Sequence, residues 1–182
     1  DKRDENGDPD VNWNTAIANE NFRLAWYYGL DATAYLARTN FIYPQHCANY
    51  CYTMSNLVSF SDGTDYTDRV MEKLGISPDG ENYARVDAAK AAEYKAKAME
   101  ELAGQVTFPI LVYMPYNASN NATTKRVQVI EQQMEGVLGT DFIDIVLVGY
   151  SGSSFNADIR NAGNWAFMEV GWGPDYADPM SG

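Results

Sequence analysis

The chain reads as an α/β protein, a mixed sheet with helices packed on it, and three observations carry that reading. From residue 105 to 172, strand-like and helix-like runs alternate in the order strand, helix, strand, helix, strand. The helix-like runs open on capping residues (Asp31, Asp87, Asn120 or Asn121) and close on glycines (Gly75, Gly104, Gly139, Gly163). At 182 residues, 46% hydrophobic and 13% aromatic, the chain is long enough to bury a core.

Taken in order, residues 19–38 (NENFRLAWYYGLDATAYLAR) predict a helix pair with a tight join. Phe22, Ala25, Trp26, Gly29 and Leu30 keep helical spacing, and Asp31 caps a second short helix carrying Ala34, Tyr35 and Ala37. Residues 40–63 hold Pro44, both cysteines and several Tyr and Asn without a period, which predicts a long loop. TDYTDRVMEKL (64–74) is a short amphipathic helix stopped by Gly75, and ISPDGENY is a turn. Behind Asp87 the run AAKAAEYKAKAMEELA predicts a long helix. Its alanine-rich side (Ala88, Ala91, Ala92, Lys95, Ala98, Met99, Leu102) suits close packing on a sheet.

VTFPILVYMPYN follows as a strand of β-branched and aromatic residues. The next helix, ATTKRVQVIEQQMEGVL, buries Val127, Ile130, Met134, Val137 and Leu138 and ends at Gly139. DFIDIVLVGYS is a second strand, SFNADIRNAG a short helix, and NWAFMEVGW a third strand. A parallel pair joined through a helix is expected to be right-handed.

The totals exclude several function classes. Net charge is −12, from 25 acids against 13 bases, so nucleic acid is not an expected partner. No run of about 18 apolar residues predicts a membrane span. The chain opens on DKRDENGDPD, without an initiator Met or a signal peptide, so residues 1–13 are expected to be a polar arm or linker on a piece of something larger. Residues 14–182 are expected to form the folded part. Cys47 and Cys51, in Cys-Ala-Asn-Tyr-Cys, fit either a small disulfide in an oxidising compartment or two separate thiols. One cysteine pair and one histidine fall short of a zinc set, so no metal and no cofactor are expected.

Catalysis is not expected either. Any Ser-His-Asp arrangement depends on His46, and no nucleophile elbow surrounds a serine. No phosphate-cradling glycine loop is present. GYSGSS (149–154) reads as a strand end followed by a helix cap. A small hydrolase using His46 and an adhesion or structural module remain as alternatives of other classes. The sequons at Asn117 and Asn121 read as a turn and a helix cap.

The stretch GWGPDYADP, 171–179, concentrates recognition chemistry. Gly171 and Gly173 allow close backbone approach, and Pro174 and Pro179 stiffen the segment. Trp172 and Tyr176 offer flat amphipathic faces. Asp175, on a strand-exit loop, can accept charge-assisted hydrogen bonds from a cation, and α/β sheets meet ligands at strand ends. A structural turn, with Tyr176 and Asp178 bonded only within their own loop, fits the composition equally well.

The order of the pieces resembles the family 5 extracellular solute-binding proteins, the oligopeptide- and dipeptide-binding components of ABC transporters. Arg23, Ala25 and Asp31 match that family's R-x-A-x5-D-R helix pair, with Ala32 where the family has Arg. Asp87, Lys90, Ala91 and Gly104 match its next helix, RVQVIEQQMEGVLG the one after, and GWGPDYADP its W-x-x-D-Y-x-D-P. The resemblance covers about residues 14–180 and implies the following. The chain is the central part of the C-terminal lobe of a periplasmic-binding-protein-like receptor. It closes against an N-terminal lobe of the same protein around an extended peptide, and docks on permease subunits. Asp175 grips the peptide's amino terminus, and Trp172 lines the cleft. The receptor lies outside the cell, held to the membrane only by an upstream lipid anchor, or in the periplasm. A sugar, a metal chelate or a signalling peptide is the alternative solute.

Overall fold

The computed structural model describes residues 2, 8, 10–48, 51–77, 86–153 and 155–169, with backbone alone for Gln45 and His46. Two compact units are present, and their described residues fall within 2–44 and 86–169 for the first and within 45–77 for the second.

The first unit carries the sheet. β1 (Ile110–Asn117) and β2 (Ile143–Tyr150) pair in parallel, with Ile110 opposite Ile143 and Asn117 opposite Tyr150. Helix α6 (Asn121–Leu138) crosses between them. It starts because the Asn120 side chain accepts from Ala122 N–H. It stops at Gly139, whose φ of 86° is one that a Cβ opposes. Its predicted inner face is buried at Val127, Ile130, Met134 and Leu138, while Val137 is half-buried. Against that face lie Ile110, Val112 and Met114 of β1 and Ile143 and Ile145 of β2, all buried.

Four further helices complete the first unit's described elements ahead of the sheet. α1 (Val11–Ala18) is capped by Asp10, which accepts from Trp13 N–H. α2 (Glu20–Gly29) is capped by Asn19, which accepts from Phe22 N–H. α3 (Thr33–Leu36) is a single turn, and Asp31 accepts from Thr33 N–H at its start. The long helix α5 (Ala88–Glu101) opens on Asp87, which accepts from Lys90 N–H. α5 packs chiefly on α2 and also on α6, not on the sheet as its alanine side predicts. Across that interface the Tyr28 and Tyr94 rings stack with centres 5.6 Å apart, and Asp87 N–H donates to the Tyr28 carbonyl. Glu101 at the end of α5 accepts from the Asn19 and Asn21 side chains and ties the two helices together. Phe22 sits at the centre of the core, its ring 5.1 Å from Phe142 and 6.1 Å from Trp13.

Two further expectations are corrected. Residues 164–169 of the predicted third strand are not a strand. They form bends, joined to β1 only where Ala166 and Phe167 N–H groups meet the Tyr113 carbonyl. A strand needs a ladder of such bonds, and one carbonyl does not make one. The predicted short helix near 154–163 is a π-helical turn over Asn156–Arg160.

The second unit is built around α4 (Tyr66–Leu74), which starts on Asp65 and ends on Gly75 with a left-handed φ of 68°. Asp65 accepts from Thr67 N–H and from Asn56 N–H, so one carboxylate caps the helix and closes the preceding loop. Ser59 and Asp65 form an antiparallel bridge, and the Phe60 and Tyr66 rings lie 6.2 Å apart.

Candidate functional site

The residues that the sequence singles out for ligand binding, Gly171, Trp172, Gly173, Asp175 and Tyr176, lie outside the described residues. What the structure builds is the run of chain that leads to them. Trp165 Nε1 donates to the Arg160 carbonyl at 3.0 Å, anchoring the run to the π-helical turn. Ala166 N–H and Phe167 N–H reach the Tyr113 carbonyl of β1 at 2.9 and 3.3 Å. The Phe167 ring lies 5.4 Å from Trp26 of α2.

Glu169 makes the last of these holds. Its carboxylate accepts from Arg126 of α6 through both oxygens, Nη2 at 2.9 Å and Nε at 3.3 Å, the forked geometry that fixes direction as well as charge. The Arg126 guanidinium also stands 5.9 Å from the centre of the Tyr35 ring on α3. Burial first, and then the neighbouring Glu169 carboxylate, push the Tyr35 phenol above its ordinary value, while Arg126 pulls weakly the other way. No local motif announces this group. Arg126 and Glu169 are 43 residues apart, and only the fold brings them together.

Beside the same run lies an open cleft of about 580 Å³. Trp13, Ile17, Trp26, Trp165 and Phe167 supply its apolar lining, with Arg23 at its side. Its size and flat aromatic walls suit an apolar group. Among the described residues the buried Trp26 indole N–H finds no hydrogen-bond partner.

The other sequence-marked residues are plainer. Cys47 is exposed, Cys51 is half-buried, and no bond joins the two. The His46 side chain lies outside what is described. Asn117 accepts from Ser119 N–H, the expected turn, whereas the cap of α6 is Asn120, and Asn121 of the second sequon is the first residue of the helix. Among the described residues no group of three or more His, Cys, Asp or Glu is placed to hold a metal ion, and no helix is long and apolar enough to cross a membrane.

No protein-family model matches the chain. Individual relatives do. The chain is 29% identical over 183 residues to the oligopeptide-binding protein AliA of Streptococcus pneumoniae, and 29% identical over 187 residues to the oligopeptide-binding protein SarA of Streptococcus gordonii. It is 30% identical over 192 residues to the pneumococcal oligopeptide-binding protein AliB. Each alignment takes in 91% of this chain but only 27% or 28% of the relative, so the chain spans about a quarter of the length of the proteins it matches. Among solved structures it superposes on the substrate-binding domain of an oligopeptide ABC transporter from Bacillus anthracis with a TM-score of 0.66 at 20% identity. That match covers 98% of this chain and 30% of the other. Listeria monocytogenes OppA bound to peptide gives 0.63 at 21% identity, again over 98% of this chain and 30% of the other. The fold is therefore that of a lobe of a periplasmic-binding-protein-like protein, mixed in helix and sheet, with a small parallel sheet.

Proposed function

We propose that this chain is part of the C-terminal lobe of an extracellular receptor that delivers peptides to an ABC importer. The observation that carries the reading is the similarity, over 91% of the chain, to proteins named for oligopeptide binding. It is supported by a fold shared with the substrate-binding domain of an oligopeptide transporter. In this reading the peptide lies extended between this lobe and an N-terminal lobe of the same protein, and backbone hydrogen bonds supply sequence-tolerant affinity. Asp175 takes the ligand's protonated amino terminus, with Trp172 lining the cleft and Gly171, Gly173 and Tyr176 shaping the approach. Closure of the lobes couples capture to docking on the permease. The receptor works outside the cell, on a lipid anchor or in the periplasm, and it binds rather than transforms its ligand.

The chemistry favours an acid at position 175. An ammonium group shielded from water by an indole needs a full negative charge within hydrogen-bond reach. Removing that charge from the full-length receptor with Asp175→Asn is expected to cost about 2–5 kcal/mol of peptide affinity by calorimetry. A variant that binds as tightly as wild type contradicts the assignment. Mass spectrometry of ligands that copurify with the full-length protein tests the solute class. Peptides are expected, and a bound sugar or metal chelate overturns the peptide reading.

A further inference from the structure

Among the described residues β2 pairs with β1 alone, and its main-chain groups alternate in direction. Ile110 N–H donates to the Phe142 carbonyl and Ala118 N–H to the Tyr150 carbonyl, so the even-numbered positions from Phe142 to Tyr150 turn toward β1. Ile143, Ile145, Leu147 and Gly149 therefore turn their N–H and C=O groups outward. At two of these the donor is already taken from within the same compact unit. Ile143 N–H donates to the Gly139 carbonyl at 3.3 Å, and Ile145 N–H to Glu135 Oε1 of α6 at 2.8 Å. Among the described residues nothing accepts from Leu147 N–H or Gly149 N–H.

We propose that Glu135 guards this edge, closing β2 against pairing with β2 of a second copy of the chain. An edge strand rich in β-branched residues is a template for another strand, and a charged group turned onto the edge blocks it. The second copy is the fitting occupant because two identical edges, run antiparallel about a two-fold axis, offer each other matching donors and acceptors. The Glu135 carboxylate holds the Ile145 N–H that an incoming carbonyl needs. With that donor closed, the outward donors left are those of Leu147 and Gly149, a stretch of about 7 Å, shorter than strands that usually pair. Opening Ile145 lengthens the stretch to about 13 Å. Charge adds to the block, since Glu131 lies within electrostatic reach of both Glu135 and Asp144, and a second copy brings the same acids against them.

The test uses the full-length protein at neutral pH. Sedimentation velocity over a concentration series and amide hydrogen exchange are measured for wild type, Glu135→Ala and Glu135→Gln. In wild type, Ile145 N–H is expected to exchange about tenfold more slowly than Leu147 N–H or Gly149 N–H. Glu135→Ala is expected to lose that difference as monomer and to associate at concentrations where wild type does not. As it associates, the Leu147 and Gly149 amides slow about tenfold. Glu135→Gln keeps an acceptor for Ile145 N–H, and is expected to associate about tenfold more weakly than the Ala variant. The proposal is overturned by an Ala variant that associates no more than wild type, by association that leaves Leu147 and Gly149 exchange unchanged, or by a Gln variant that associates as strongly as Ala. Should the Ala variant fail to fold, the wild-type exchange rates decide. Ile145 N–H exchanging as fast as Leu147 N–H then overturns the proposal, and the expected slowing upholds it.

Discussion

Gly136 and Gly139, three residues apart at the end of α6, call for opposite outcomes. Gly136 lies inside the helix, and a Cβ there would meet nothing within 4 Å. Gly136→Ala should therefore stabilise the protein by about 0.5–1 kcal/mol, because glycine loses more backbone freedom on folding than alanine. Gly139 has φ of 86°, and a Cβ there would collide with the Asp141 carboxylate and stand 2.9 Å from Lys95 Nζ, the two halves of an ion pair. Gly139→Ala should destabilise by about 1–3 kcal/mol. Thermal melting of the two variants checks both signs, and a common direction would contradict the account. Glu131, also on α6, adds a pH-dependent case. Burial first, then the Glu135 and Asp144 carboxylates, push its carboxyl above the ordinary 4.5. The fold thus opposes its ionisation. Its contribution to stability is fully present below the unfolded value and is lost as pH rises through the raised folded value. Glu131→Gln should raise the melting temperature by about 1–3 °C at pH 7, with the gain vanishing below about pH 4. A melting temperature lowered equally at both pH values would contradict this.

Among the elements, the helices with local signals were legible in the sequence. Asp87 and Asn120 cap as their spacing predicts, and Gly75 and Gly139 stop their helices with positive φ. These are short-range facts, settled by a side chain and an amide two or three residues away. The two strands of the βαβ unit were legible too, because ILVYMPYN and IDIVLVGY are rich in β-branched and aromatic residues. The failures are non-local. Residues 164–169 have a strand's composition, but a strand is a pairing, and among the described residues only the Tyr113 carbonyl receives them. α5 shows the same limit, since its alanine side fits a helix as well as a sheet and the choice lies with α2. Gly29 of α2 makes the same point from the other side, because a Cβ there would stand 3.2 Å from Val137 and 3.3 Å from Leu138 of α6. α1 had a local signal, Asp10 before Trp13, Ala16 and Ile17, masked by the polar run that precedes it. Of the candidate site, the motif at 171–179 was visible as sequence, whereas the Arg126–Glu169–Tyr35 group depends on tertiary contact and left no trace there.

An acidic chain with net charge −12 has little to offer a phosphate backbone, and a carboxylate close in sequence to Trp172 and Tyr176 is, in the proposed reading, what an ammonium group would meet. The aromatic cleft beside Trp26 and the exposed Phe41, Ile42 and Tyr43 leave further apolar surface on the first unit. In the receptor proposed above, affinity for an extended peptide would be shared along its backbone, whereas recognition of its amino terminus would be concentrated on a single charge. Calorimetry of the full-length protein with one peptide and its N-acetylated form, each against wild type and Asp175→Asn, isolates that charge. The account predicts that acetylation weakens binding to wild type by about 2–5 kcal/mol and that the Asn variant no longer distinguishes the two peptides. Equal affinity of wild type for the free and acetylated peptides would contradict it.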